Sequence, residues 1–263
     1  MLNLRTVQAT RYVTPLREGG SMPGLMEADD LGTYVVKFRG AGQGVRTLIA
    51  ELITGEIGRV LGLPVPELVF FELDPAMAKA EPDPEIQQLL AASGGLNIAM
   101  DFLPGSLPWS VAMVPLVSPD LAARIVWLDA LTTNIDRTAR NPNLLIWHKQ
   151  LWLIDHGASL YLQHTWTDID TRAATPFPQS KDHVLLPVAG AIPAVGAELR
   201  KLLGDDQLDA IVAMIPDDWL EDARPFANAN DLRQAYRDLL AARLKAADTF
   251  EAVAEVARIE LQS

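Results

Sequence analysis

Asp136, Asn141 and Asp155 are the residues of this chain whose types, order and spacing could carry chemistry. The first acid lies in a polar loop from Asn134 to Asn143, and the amide of Asn141 follows five residues later. Two short apolar runs come next, Leu144 to Trp147 and Leu151 to Ile154, separated only by His148-Lys149-Gln150, which is hairpin spacing. The second acid, nineteen residues after the first, opens Asp155-His156-Gly157. Phosphoryl transfer uses such a set: one carboxylate orients an attacking hydroxyl or takes its proton, while a second carboxylate and an amide oxygen hold the metal that neutralises the phosphates. A lone loop aspartate is ordinarily a turn former or a cap. The ordered set says more, because chance has to supply acid, amide, hairpin and second acid together.

The elements around this set follow from local pattern. Leu121, Ile125, Leu128 and Leu131 recur at helical spacing before the loop, and Ser118-Pro119-Asp120 supplies a cap, a first-turn proline and a first-turn acid. Pro142, which has no amide hydrogen and restricts Asn141, predicts the end of that helix.

The segment resembles the catalytic stretch of the protein-kinase-like fold, and its Asp136-Arg137-x-x-x-Asn141 is closest to the form used by HipA-like kinases and phosphatidylinositol kinases. The resemblance implies a catalytic-base role for Asp136, a metal-ligand role for Asn141, and the main metal-ligand role for Asp155, in Asp-His-Gly where ordinary kinases have Asp-Phe-Gly. The chain departs from these relatives in carrying Thr138, where they often have His two residues after the base.

The N-terminal third supplies the rest. Thr6 to Thr14 predicts a strand, Glu18 to Gly24 a flexible turn, Leu25 to Ala28 a short extended piece, and Thr33 to Phe38 a strong strand. Lys37 stands inside that strand, either snorkelling from a sheet edge or aimed into a cleft to hold phosphates. A helix follows from Arg46 to Leu61, with Leu48, Leu52, Ile53, Ile57 and Val60 on its apolar face, and stops at Gly62 before Pro64. By resemblance Glu51 is the ion-pair partner of Lys37, with Glu56 in reserve; otherwise both are solvated surface glutamates. The Gly20-Ser21-Met22 turn resembles the nucleotide-covering loop of HipA-like kinases, where small residues let backbone amides approach phosphates. A rival reading takes Gly40-Ala41-Gly42-Gln43-Gly44 as a dinucleotide-binding turn, but Val45 stands where the third glycine would be needed.

Strands are further predicted at Glu67 to Leu73 and Leu96 to Met100, with a proline-broken acidic insertion from Asp74 and a short helix at Glu85 to Ala92 between them. In a kinase-like fold the backbone of Asp101, Phe102 and Leu103 would meet the adenine edge. Helices are expected at Ala197 to Leu203, Asp206 to Met214, Asp217 to Ala223 and, as one long element, Asp231 to about Ile259. The four histidines, His148, His156, His164 and His183, lack metal-site spacing and are read as loop or packing residues.

Composition bounds the function. In 263 residues, 34 acidic against 22 basic side chains give a formal charge of −12, which opposes general binding to nucleic acid or anionic membrane. Without cysteine there are no disulfides or thiolate metal sites, and Met1-Leu2-Asn3-Leu4-Arg5 does not begin a signal peptide, so a cytoplasmic protein is expected. The resemblance implies an α+β, protein-kinase-like two-lobed fold in a single domain, 1–263: a small N-terminal sheet lobe with one main helix, 1–101, and a larger, mostly helical C-terminal lobe, 102–263. It further implies transfer of phosphate from ATP, with Mg2+, to a hydroxyl, first of a protein serine or threonine and second of a small molecule or lipid. A nucleotide-binding pseudokinase serving as an interaction module is the non-enzymatic alternative. HipA toxins carry an additional N-terminal domain for which there is no room before Thr6, so neither a toxin role nor a DNA-binding partner is inherited.

Overall fold

Strand after strand in the first hundred residues alternates between interior and exterior, and the interior faces are satisfied by closing the sheet on itself. In the computed structural model, which describes residues 3–16, 22–42 and 44–263, five strands form a closed barrel. Around it run β1 (Thr6–Pro15), β2 (Gly24–Ala28), β3 (Thr33–Lys37), β5 (Gly95–Asp101) and β4 (Leu68–Leu73). Neighbours are antiparallel except at the closure, where β1 and β4 run parallel with Thr6 beside Phe70 and Val7 beside Phe71. Met26, Tyr34, Val36, Val69 and Phe71 fill the interior. The acidic stretch from Asp74 is ordered: a 3-10 turn, Pro75–Ala80, leads to α2 (Pro84–Ala92), whose Ile86 and Leu90 join the barrel core.

β3 lies between β2 and β5, so Lys37 is not on an edge. Because successive side chains point to opposite faces of a strand, Tyr34 and Val36 enter the barrel while Val35 and Lys37 face outward, toward α1 (Val45–Val60). That helix is buried without a break from Leu48 to Gly58, more than one face of a helix can supply, because it has neighbours on both sides. Gly55 permits the contact on one of them: a Cβ there would come within 2.5 Å of Leu68 Cδ1 on β4.

α3 (Pro119–Leu131) begins as expected, with Ser118 Oγ accepting from the Leu121 amide. Its end corrects the expectation. It stops at Thr132, whose hydroxyl donates to Leu128 O, and Thr133 then turns the chain at φ 51°. Two threonines terminate it well before Pro142 is reached. The hairpin consists of β7 (Leu144–Trp147) and β8 (Gln150–Leu153), with β6 (Leu107–Pro108) on the other side of β7. His148 and Lys149 both adopt positive φ, 50° and 63°, the conformation of a two-residue type I′ turn.

The remaining helices are α4 (Ile169–Ala173), α5 (Ile192–Leu202), α6 (Asp205–Ala213), α7 (Ala229–Lys245) and α8 (Ala247–Gln262). The segment 217–223 holds only a 3-10 turn, Asp217–Trp219, and the long C-terminal helix is two helices broken at Ala246. The break is silent in the sequence because the buried positions Leu240, Arg243, Ala247, Phe250 and Ala254 keep helical spacing across it. α7 packs on α6 and α4, and α8 on α5 and α3. A second hydrophobic core, separate from the barrel interior, joins α1, α3, the hairpin and the C-terminal helices. No helix of the described residues is long and apolar enough to cross a membrane.

Candidate active site

Lys37 leaves β3 on the face toward α1 and meets two carboxylates. Its Nζ donates to Glu51 Oε2 and to Asp155 Oδ1, each at 2.5 Å. Lys37 and Glu51 retain only 9% and 1% of their accessible surface, so this is a buried ion pair and the snorkelling alternative falls. Burial alone would lower the Lys37 pKa, but Glu51 and then Asp155 outweigh it and hold it above its ordinary value. Burial pushes the Glu51 carboxyl up, partly offset by Lys37 and by the His156 amide, which donates to Glu51 Oε2 at 2.8 Å. Burial also opposes ionisation of Asp155, yet Lys37 draws its carboxyl below the ordinary range. Glu56, the reserve partner, pairs with Arg59 one turn on and takes no part. Since Lys37 and Glu51 act as a unit, their removals should not add: in a Lys37→Met, Glu51→Gln cycle followed by ADP release, we expect a coupling of roughly 1–3 kcal/mol. Strict additivity would mean that the pair does not serve turnover.

The first acid of the polar loop, Asp136, is bonded to two asparagines that line the same opening. Asp136 Oδ2 accepts from Asn141 Nδ2 at 2.7 Å and from Asn143 Nδ2 at 3.3 Å, and its own amide donates to Asn134 Oδ1. With its nitrogen turned to Asp136, Asn141 keeps its side-chain oxygen for the metal-ligand role the resemblance implies. Asp155 holds positive φ, 54°, and Gly157 just beyond it tolerates no side chain: a Cβ would lie 2.5 Å from Thr47 Cγ2 on α1. A cleft of about 660 Å³ is lined by Lys37, Glu51, Asn141 and Asp155 at one end and by Met100 to Leu103 at the other. There the amides of Asp101 and Phe102 are already spent on Glu67 O and Thr33 O, so of the three expected backbone groups the Leu103 N–H is the one not taken up by a neighbouring strand. Met22 turns with φ 42° and Leu16 N donates to Pro23 O, bringing both flanks of the expected phosphate loop to the cleft; Gly20 and Ser21 lie outside the described residues.

This geometry can be set beside known proteins. The HipA-like kinase family matches residues 10–251. The chain belongs to that family. It is accordingly an ATP-dependent kinase. Among solved structures it is similar to the Helicobacter pylori proinflammatory kinase CtkA, with TM-score 0.54 and 12% identity over 99% of each chain, a likeness of fold. The Golgi casein kinase with Mn/ADP bound aligns at TM-score 0.42 and 12% identity, over 92% of this chain and 73% of that one. No curated protein matches the sequence.

The structure of this HipA-like kinase also holds polar residues that sequence reasoning assigned no role. Asp129, buried on α3, binds three donors: Asn134 Nδ2 at 3.0 Å, Arg137 Nε at 2.6 Å and His183 Nε2 at 2.9 Å. Burial would raise its pKa, but Arg137 and His183 hold it well below the usual carboxylate range. Arg137 goes on to donate to Asn143 O, Ile154 O and His156 Nδ1, so one guanidinium ties both ends of the hairpin to α3. His183 comes from far along the chain, where Thr138 and His183 form a β-bridge and Val184 N donates to Arg137 O. His156 and His183 are thus hydrogen-bonded parts of the loop's support and not merely packing residues. A lone acid in the apolar stretch between Arg124 and Asp136 was the available sign of Asp129.

Proposed function

We propose that the protein is a two-lobed, Mg2+-dependent kinase that transfers the γ-phosphoryl group of ATP to a serine or threonine hydroxyl of a protein. The observation that carries this reading is Lys37 Nζ held at 2.5 Å by both Glu51 and Asp155 at the floor of the cleft. In this reading residues 1–101, built round the barrel core, form the small lobe, and residues 102–263 the large one. Leu103 N–H and the neighbouring backbone meet the adenine edge, Gly20 to Met22 cover the phosphates, and Lys37 grips them. Asp136 takes the acceptor's proton. A macromolecular acceptor is favoured because Asn141, which lines the cleft, is exposed and Asp136, bonded to it, is half-buried.

Among the described residues there is no group of three or more acidic, histidine or cysteine side chains that could hold a metal by themselves. Asp155 and the oxygen of Asn141 nonetheless fit a magnesium ion whose remaining ligands are phosphate oxygens and water. Electrostatics favours such an ion, since Glu51, Asp101 and Asp155 outnumber Lys37 in the lining of the cleft and would repel bare triphosphate. When bound, the metal would supply charge neutralisation, while the protein's part is to hold Lys37, Asp136 and the hydroxyl in place.

Stability in the presence of nucleotide tests the metal assignment. With magnesium present and ATP near 100 times its dissociation constant under those conditions, nucleotide should protect the parent by about 2.7 kcal/mol, and most of that protection should vanish without the metal. Asp155→Ala should lose most of it and Asn141→Ala less, because a neutral amide contributes less charge than a carboxylate. Equal magnesium-dependent stabilisation in all three proteins would sink the assignment. The acceptor class is tested with labelled ATP and a cell extract: label in protein serine or threonine supports the reading, label in the lipid fraction redirects it, and nucleotide binding without turnover makes the chain a binding module.

A further inference from the structure

The Asp-His-Gly turn carries a histidine whose two nitrogens are differently placed, one partnered and one not. Nδ1 lies 3.2 Å from Arg137 Nη2. A guanidinium can only donate, so Nδ1 accepts, and in the neutral ring the proton then sits on Nε2. Nε2 is buried and has no hydrogen-bond partner among the described residues. A Cβ built on Gly55 would stand 3.8 Å from His156 Cδ2, the carbon bonded to Nε2, so this edge of the ring is turned toward α1.

The facing side of α1 has the complementary shortage. Glu51, Thr54 and Gly55 share one helix face, being three and four residues apart. Glu51 Oε1 and Thr54 Oγ1 are both buried without a partner, like Nε2 itself. Buried polar atoms are rarely left so, because each forfeits its bonds to water. The ring is already anchored beside them, since the backbone N–H of His156 donates to the other oxygen of Glu51.

We infer that His156 is a positioning residue, in the Nε2–H tautomer, that joins the catalytic loop to α1: Nδ1 accepts from Arg137, and Nε2–H is given through one buried water to Glu51 Oε1 or Thr54 Oγ1. The inference rests on reading Glu51 and Asp155 as residues of the nucleotide site. Its consequence is that Asp136, through its neighbour Arg137, and Lys37, through Glu51, are held in register by one imidazole. A phenylalanine, as ordinary kinases have here, could make neither bond.

Two measurements test it. Long-range 15N–1H correlation spectra of the histidine-labelled full chain, with and without ATP and magnesium, report the tautomer directly. The expected result is an unprotonated Nδ1 and a slowly exchanging Nε2–H; an Nδ1–H ring, or a ring proton exchanging freely with water, would overturn the inference even if no variant folds. In ADP-release kinetics, His156→Phe should lower kcat by about tenfold or more with KM for ATP within roughly threefold of the parent, and His156→Asn, which keeps an acceptor for Arg137, should recover part of the loss. A folded His156→Phe protein with parental kcat would also overturn it. The parent reading fails separately, if Asp155→Ala still transfers phosphate, and the tautomer result stands apart from that outcome.

Discussion

Asp136→Asn is expected to bind ATP and magnesium as the parent does while turning over at least ~100-fold more slowly, the usual scale for losing a general base. The substitution is well matched to the site. The oxygen of an asparagine can still accept from Asn141 Nδ2 and Asn143 Nδ2, so the loop keeps its hydrogen bonds while the group that would take the proton is gone. Nucleotide titration and the rate of ADP release, measured on the same preparation, separate the two effects. Parental turnover in this variant would remove Asp136 from the mechanism.

Asp129→Ala should instead act on the fold. Arg137 is fully buried, and its Nε donates to the Asp129 carboxylate; removing the acid leaves a cation in the interior with only carbonyls and His156 for company. Breaking such a pair from one side costs about 3–5 kcal/mol. For a chain of this size that is a fall of roughly 10 °C in the unfolding midpoint. Asp129→Asn keeps the shape and one acceptor but not the charge, and should fall between. A midpoint within a degree or two of the parent for Asp129→Ala would show that Arg137 finds another partner or reaches water.

The hairpin and the polar residues that flank it were legible because their order is local: acid, amide, hairpin and acid occupy twenty consecutive positions, and the tight turn at His148-Lys149 keeps their separation short. Lys37 was harder, since a lysine in an apolar strand also reads as an edge residue, and only the pairing of β3 with the distant β5 as well as with β2 makes it interior. The support beneath the loop was not legible. Asp129, Arg137 and His183 become neighbours only when residues 54 apart in sequence are brought together, and no spacing rule connects them. Helix boundaries failed for a related reason: the phase of the apolar stripe runs unbroken through Ala246, so periodicity carries no trace of the bend there.

The parallel closure of β1 on β4 also limits how a polypeptide acceptor can dock. An exposed outer strand offers a row of free backbone donors and acceptors to which an extended peptide can add, with its alternate side chains read by pockets. A barrel of five mutually paired strands has no such flank among the described residues. In the small sheet, β6 is two residues long, and on β8 Leu153 N is already spent on Pro64 O. If the acceptor is the protein proposed above, it would find little main chain to grip, and its hydroxyl would be recognised through side chains around the mouth of the cleft. Selectivity for one acceptor would then be written in surface residues that can change without disturbing the barrel.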